Sequence, residues 1–267
     1  MTKTYDPYQL DEQILRSIIR EAVHHGVVTL LYPSLAGRRK PFDPPGRVQQ
    51  LLEIYEQRGF DTGHDDICWA KTIVDLARQW DGCCRPEFEA HSPTRYGEEK
   101  ARTVESLIYE RRSIRQWTEE PVGRKDLKEI VRAGTWAATG CNLQVTRYLV
   151  LDDEAELKRI PSREFSGEKA KIITLIDTRA YDIMTHLPHR NMILDVGAAM
   201  QNMLLMAESL GLGAVWGTFN DKEIARVKVC FNLADHFRVV AYISLGYPAE
   251  EVIPPGRVLP EDAVLNW

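Results

Sequence analysis

Arg111-Arg112-Ser113-Ile114-Arg115, continuing as Gln116-Trp117-Thr118-Glu119-Glu120-Pro121-Val122, is the stretch around which the chain is organised. Three arginines and a hydroxyl within five residues offer forked donors that match phosphate oxygens two at a time, which a lysine point charge cannot do. Upstream, Val104, Leu107 and Ile108 have the i, i+3, i+4 spacing of a helix face, placing Arg111 and Arg112 at that helix's C-terminal turn. The helix dipole favours cations there, so the cluster reads as a basic cap or as an anion cradle.

The totals restrict the partners. Against 39 acidic residues stand 34 basic ones, a formal net charge of −5 over 267 residues, so there is no global electrostatic case for nucleic acid or an anionic membrane. A small-molecule partner is expected. Met1 to Pro7 lacks the apolar run of a signal peptide and no later run is long enough to cross a bilayer, so the expected location is the cytoplasm. Cys68, Cys83, Cys84, Cys141 and Cys230 are an odd, scattered set and read as free thiols. Cys83-Cys84 near Cys68, His64 and His91 lacks the C-x-x-C spacing that suits zinc or an iron–sulfur cluster, and no metal is expected.

Outward from the arginine run the periodicity changes character. Upstream, three apolar stripes predict amphipathic helices: Leu15, Ile18, Ile19, Ala22 and Val23; Val48, Leu51, Leu52 and Tyr55; Ile67, Ala70, Ile73, Val74 and Ala77. The segment Pro33 to Gly46, with Arg38-Arg39-Lys40 and three prolines, reads as a surface loop, and about 81–103 as a linker or strap. Downstream, helices and strands alternate. Pro121 is expected to open a helix faced by Leu127, Ile130 and Val131 and running to Trp136-Ala137-Ala138, ended by the Thr139-Gly140-Cys141-Asn142 turn. Tyr148–Leu151, Ile172–Ile176, Ala214–Trp216 and Phe237–Leu245 read as strands. Ile193 to Leu210 is apolar almost all round, so its helix must be buried in the core or against a second subunit.

Four stretches in this order resemble the nitroreductase family of FMN-dependent oxidoreductases: Arg111 to Arg115; Ala137-Ala138-Thr139-Gly140-Cys141-Asn142-Leu143-Gln144; Asp195-Val196-Gly197-Ala198-Ala199-Met200-Gln201-Asn202 running to Gly211-Leu212-Gly213; and Leu245-Gly246-Tyr247-Pro248 followed by Arg257. The resemblance covers roughly residues 104–262. It implies an α+β fold, a mixed, largely antiparallel sheet wrapped by helices, with residues 1–103 as a helical N-terminal extension and linker and 104–267 as the FMN-binding domain. It further implies a homodimer with FMN at the subunit interface. Arg111, Ser113 and Arg115 would hold the phosphate and nearby flavin oxygens, Arg112 would contribute largely through its backbone, and Arg257 would complete the phosphate site. Thr139, Asn142 and Gln144 would come from the neighbouring subunit. Val215, Trp216, Gly217 and Thr218 would run past the isoalloxazine, with a backbone N–H near Gly217 facing flavin N5.

Two departures stand out: Pro255 occupies a position where many relatives have lysine, and Val145 follows Gln144 where relatives have proline. Segment 152–192 is short where relatives build a substrate lid, so residues 1–100 are expected to cover the flavin and set substrate choice. His186-Leu187-Pro188-His189-Arg190, just before the long helix, reads as a surface loop without a role or, less favoured, as a proton donor where substrate enters, and His64-Asp65-Asp66 is no better supported. Neither Ser113 nor Cys141 has a visible base partner, so a nucleophilic triad is not expected. The expected activity is ping-pong electron transfer from NAD(P)H through FMN to a small electron-poor or conjugated substrate, with no obligatory side-chain acid or base. An FMN-dependent oxidase or desaturase using oxygen, and a non-catalytic flavin-binding partner protein, are the alternatives. No G-x-G-x-x-G occurs to report nicotinamide preference.

Overall fold

A computed structural model describes residues 5–88 and 97–266 of the chain. Its first part is helical: α1 (Glu12–Val23), a π-helical turn (His24–Val28), α2 (Thr29–Leu35), α3 (Gly46–Gln57) and α4 (Asp65–Gln79). Asp11 caps α1 by accepting the Ile14 N–H at 3.0 Å. Every residue of the three predicted stripes is buried. Pro33 differs from expectation, lying inside α2 with the loop starting after Leu35. The metal candidate His91 and part of the 81–103 linker lie outside the described residues.

The helix leading into the arginine run is α5 (Glu98–Glu110). It begins before the expected domain boundary, so a division between residues 103 and 104 falls inside a helix. Val104 and Ile108 are exposed, and this helix buries none of its residues completely within the chain. Next, α6 (Arg124–Thr135) starts after its N-cap Gly123 rather than at Pro121, and Trp136 ends it, leaving Ala137 and Ala138 outside. The remaining elements are β1 (Thr146–Leu151), α7 (Glu154–Arg159), β2 (Ala170–Asp177), α8 (Arg179–Ile183), α9 (Asn191–Ser209), β3 (Gly213–Thr218), α10 (Asp221–Cys230), β4 (Phe237–Gly246) and α11 (Pro260–Ala263).

The sheet has the order β1-β2-β4-β3 with every pair antiparallel, and parallel character enters only at the isolated bridge between Ser113 and Ala214. β2 is buried along its whole length because both faces are covered: Ile172 and Ile176 join one hydrophobic cluster, Ile173 and Leu175 the other. That double burial is why its sequence reads as a continuous apolar run instead of an alternation. The larger cluster runs without a break from α1, α3 and α4 through α6 and α9 to β2 and β4, so the N-terminal helices share one core with the sheet. The helix α9 keeps Met192, Val196, Met200 and Met203 buried but leaves Ile193 and Leu194 exposed, an uncovered apolar strip.

Candidate functional site

The arginine run is held against the open edge of the sheet. Ile114 donates its N–H to the Ala214 carbonyl at 3.2 Å, and Thr118 donates to the Tyr247 carbonyl at 2.9 Å. The buried Trp117 indole donates Nε1–H to the Gly213 carbonyl at 2.9 Å. Gly213 is needed for this approach, since a Cβ there would stand 2.7 Å from the Ile114 side chain. After β4, Ala249 donates to the Gln116 carbonyl at 2.9 Å, and the Glu250 carboxylate accepts the backbone N–H groups of Arg115 and Gln116. Ser113 thereby lies beside β3, and the arginines flank it.

The four cations behave differently. Arg112 turns back and donates to the Tyr109 carbonyl at 2.7 Å, so it is the helix cap that the sequence allowed. Arg111 has no such role. Burial lowers its pKa; Glu208 opposes that shift, while the charges of Arg257 and Arg112 add to it. The structure therefore brings Arg257 into the electrostatic range of Arg111 across a separation of 146 residues. Among the described residues, the exposed Arg115 guanidinium donates to the nearby Ser113 carbonyl at 3.2 Å, and that of Arg257 to the Gly256 carbonyl at 3.2 Å. Among the described residues, none of these four guanidinium groups has a carboxylate within ion-pair distance.

Beyond the Ser113 bridge, the outer edge of β3 is open. Because the Ala214 backbone faces outward to Ile114, strand alternation turns Trp216 and Thr218 outward as well and turns Gly217 toward β4. The outward N–H groups are thus those flanking Gly217. Gly217 itself has an internal reason to lack a side chain: a Cβ would lie 2.6 Å from the Tyr242 ring. Trp216 is 53 % exposed and is not a core aromatic. With Thr218, Tyr242, Arg163 and Glu164, these residues line a hollow of about 260 Å³.

The turn at 139–144 lies elsewhere, against α1 and the start of α9. Cys141, Asn142 and Gln144 have φ of 54°, 55° and 51°, a left-handed conformation that costs non-glycine residues on the order of 1–3 kcal/mol each. Hydrogen bonds from three elements hold it. Gly140 donates its N–H to the buried Asp195 carboxylate at 2.9 Å, and Arg147 donates to the Gln144 carbonyl at 2.8 Å. Arg20, only 4 % exposed, donates to the Asn142 and Leu143 carbonyls at 3.2 and 2.7 Å. Arg20 is in turn held by Ser17 at 2.8 Å and by Asp66 of α4, which also pairs with Arg16 at 2.8 Å. Burial pulls Arg20 down to about 10 against the attraction of Asp66, so it remains charged at neutral pH. Within the turn, the Gln144 amide donates to the Asn142 side chain at 2.8 Å. Among the described residues, no hydrogen bond or ion pair joins this turn to Arg111–Arg115 or β3.

Sequence reasoning missed Arg20 and Glu250 and set Asp66 aside. The signal for Arg20 is faint but present: Gln13, Arg16, Ser17 and Arg20 form a polar stripe at helical spacing beside the apolar one. All five cysteines are free, no metal cluster occurs among the described residues, and no helix among them is long and apolar enough to cross a membrane.

Comparison with known proteins gives concordant results. The model of the nitroreductase family matches residues 108–182 and 182–247. An NADH dehydrogenase of Thermus thermophilus is 29 % identical over 198 residues, covering 61 % of this chain and 95 % of that protein. An NADPH-flavin oxidoreductase of Vibrio harveyi is 28 % identical over 160 residues, 55 % of this chain and 65 % of the relative. Among solved structures, a candidate nitroreductase from Desulfovibrio desulfuricans in complex with FMN superimposes with a TM-score of 0.53 at 30 % identity, over 61 % of this chain and 96 % of that one.

Proposed function

Since the chain belongs to the nitroreductase family, we propose that it is an FMN-dependent oxidoreductase that takes reducing equivalents from NAD(P)H and passes them, by ping-pong, to a small electron-poor or conjugated acceptor. The observation that carries this reading is the convergence of Arg111, Arg112 and Arg257 beside the open edge of β3, with Glu208 a partial counter-charge but no carboxylate at ion-pair distance among the described residues. Like charges gathered in this way are relieved by an anion, and a phosphate dianion accepts several forked donors at once. Arg111, Ser113, Arg115 and Arg257 would hold the phosphate. The guanidinium of Arg112 adds positive charge where the absent lysine at Pro255 leaves a gap, while its donors cap α5. The outward backbone of Trp216 and Thr218, with Val215 and Gly217 between β4 and that edge, would lie along the flavin ring. When bound, FMN supplies the two-electron chemistry, and the protein supplies position and electrostatics.

A second copy of the chain completes the site. Thr139, Asn142 and Gln144 have no bond to the cationic edge of their own chain, while Ile193, Leu194 and Trp136 present an apolar surface of the kind a homodimer buries. The exposed Ile253, Val258, Leu259 and Leu265 of the C-terminal segment are further apolar surface for that interface. The family unit then starts with α5 at Glu98, and the N-terminal helices are the part that, packed on the 139–144 turn, covers the flavin and limits which substrates enter.

The test is direct. Purified protein should carry FMN in stoichiometric amount and bleach anaerobically on mixing with NADH or NADPH. Protein that stays colourless after reconstitution sinks the proposal, and a flavin bleached only by an organic substrate moves it to the oxidase or desaturase class. Leu194→Glu should shift the dimer to monomer in light scattering and release FMN with it.

A further inference from the structure

At the seam between the N-terminal helices and the sheet domain lies a cavity of about 740 Å³, within the range of about 300–1,000 Å³ typical of small-molecule pockets. Glu21 of α1 lines it and is only 6 % exposed, yet among the described residues no lysine or arginine lies within ion-pair distance of it. Its Oε1 is instead shared by two imidazoles, His25 Nδ1 at 2.9 Å and His186 Nε2 at 3.5 Å. His25 comes from the π-helical turn that interrupts α1 and α2, a rare geometry that often marks functional positions. His186 comes from the loop before α9, so the loop histidine expected to be idle reaches across the seam. Arg47 lines the same cavity and bonds the Tyr5 hydroxyl, a neutral partner, with no carboxylate in reach among the described residues. Leu51, Ile183 and Met184 give the lining of the same space an apolar character.

A buried carboxylate without a full counter-charge and a guanidinium paired only with a phenol, facing one apolar-walled space, suit a ligand with an ammonium at one end and a carboxylate at the other. We infer that this cavity binds a zwitterionic, apolar amino acid or short peptide, its ammonium on Glu21 between the two imidazoles and its carboxylate on Arg47. The occupant would lie beside the 139–144 turn, since the Glu21 charge is felt at Cys141. Neither Glu21 nor Arg47 is among the residues assigned to the flavin, so the test of this site is separate from that of FMN binding.

Calorimetric titration of the full-length, FMN-loaded protein with leucyl-leucine, N-acetyl-leucyl-leucine and leucyl-leucinamide removes one pole at a time. The uncapped dipeptide should bind, and each cap should weaken binding roughly 10-fold or more, the worth of a charge-assisted hydrogen bond. Glu21→Gln should abolish the penalty for acetylation, and Arg47→Ala the penalty for amidation, with FMN content unchanged. Arg47 is exposed, so its variant decides the matter even if Glu21→Gln fails to fold. Equal binding of the three peptides, or no binding of the uncapped one at millimolar concentration, overturns the inference whatever the flavin spectrum shows.

Discussion

At Arg111–Arg115 the guanidinium groups end on their own backbone or in solvent, whereas at Thr139–Gln144 three left-handed residues are clamped by hydrogen bonds from α1, β1 and α9. Both stretches carry the family resemblance, yet the fold treats them oppositely. The first is short of partners, and in the proposed function an anion completes it. The second is over-determined and presents a fixed shape. The difference separates groups that bind from groups that are built: a cation near other cations awaits an anion, while a strained turn persists only because its surroundings hold it.

The largest effect should follow from loosening the built region. Arg20→Met removes the donor to two turn carbonyls and leaves Asp66 with Arg16 alone; a buried pair broken to leave an uncompensated charge costs about 3–5 kcal/mol, and the loss here should be smaller because Arg16 keeps Asp66 paired. Urea unfolding should show that loss. If the midpoint hardly moves, the turn is held by Asp195 and Arg147 and the N-terminal helices are dispensable to it. The same network gives an acid signature. Burial alone would raise the Asp66 pKa, but the hydrogen bond from Arg16 and the charges of Arg20 and Arg16 outweigh it and leave the carboxyl below its ordinary value. Its stabilising contribution is therefore complete above about pH 4 and is lost as pH falls through the lowered folded value. Arg20→Met should flatten that acid limb.

The binding region should respond in the opposite sense. Arg111→Ala should leave the unfolding midpoint nearly unchanged, because the repulsion it relieves from Arg257 and Arg112 is offset by the attraction it loses to Glu208. FMN affinity, followed by flavin fluorescence on dilution, should nonetheless fall about 10–100-fold, the equivalent of one charge-assisted hydrogen bond. A variant that loses stability and keeps its flavin would invert the comparison. Arg112→Ala makes a useful partner: it should cost helix-cap stability more than affinity, since its donors are already spent on the Tyr109 carbonyl.

Local periodicity made most of the fold legible. The stripes of α1, α3 and α4 and the strands β2 and β4 were readable because each residue there answers to a single rule, burial at period 3.6 or burial on both faces. Helix ends were less readable: Pro121 looks like a first-turn residue, but the helix waits for Gly123, and Pro33 stays inside α2. At the site, the proximity of Arg111 to Arg257 followed from resemblance, not from any local pattern. Gly217 shows the limit of such inference, because the residue next to its missing Cβ within the chain is Tyr242. Arg20 escaped because nothing in α1 announces a partner more than a hundred residues away. Long-range polar pairing leaves no period in the sequence.

The smallest expected effect tests how far the built region tolerates a buried charge. Asp195 accepts the Gly140 N–H through Oδ1, but its other oxygen, Oδ2, is buried without a hydrogen-bond partner among the described residues. Burial raises its pKa and the Gly140 hydrogen bond only partly offsets the shift. A carboxyl whose folded value exceeds its unfolded value costs nothing in acid, where both states are protonated. Between the two values the unfolded chain has released its proton and the folded chain has not, so stability declines as pH rises, and the penalty is full above the folded value. Asp195→Asn keeps an acceptor for Gly140 and removes the ionisation. Its advantage over the parent should be absent near pH 4 and should grow as pH rises toward 8 in paired urea titrations. An advantage that shrinks with rising pH would mean that the Asp195 carboxylate finds a cationic partner in solution, and the turn would then rest on an ion pair as well as on the Gly140 hydrogen bond.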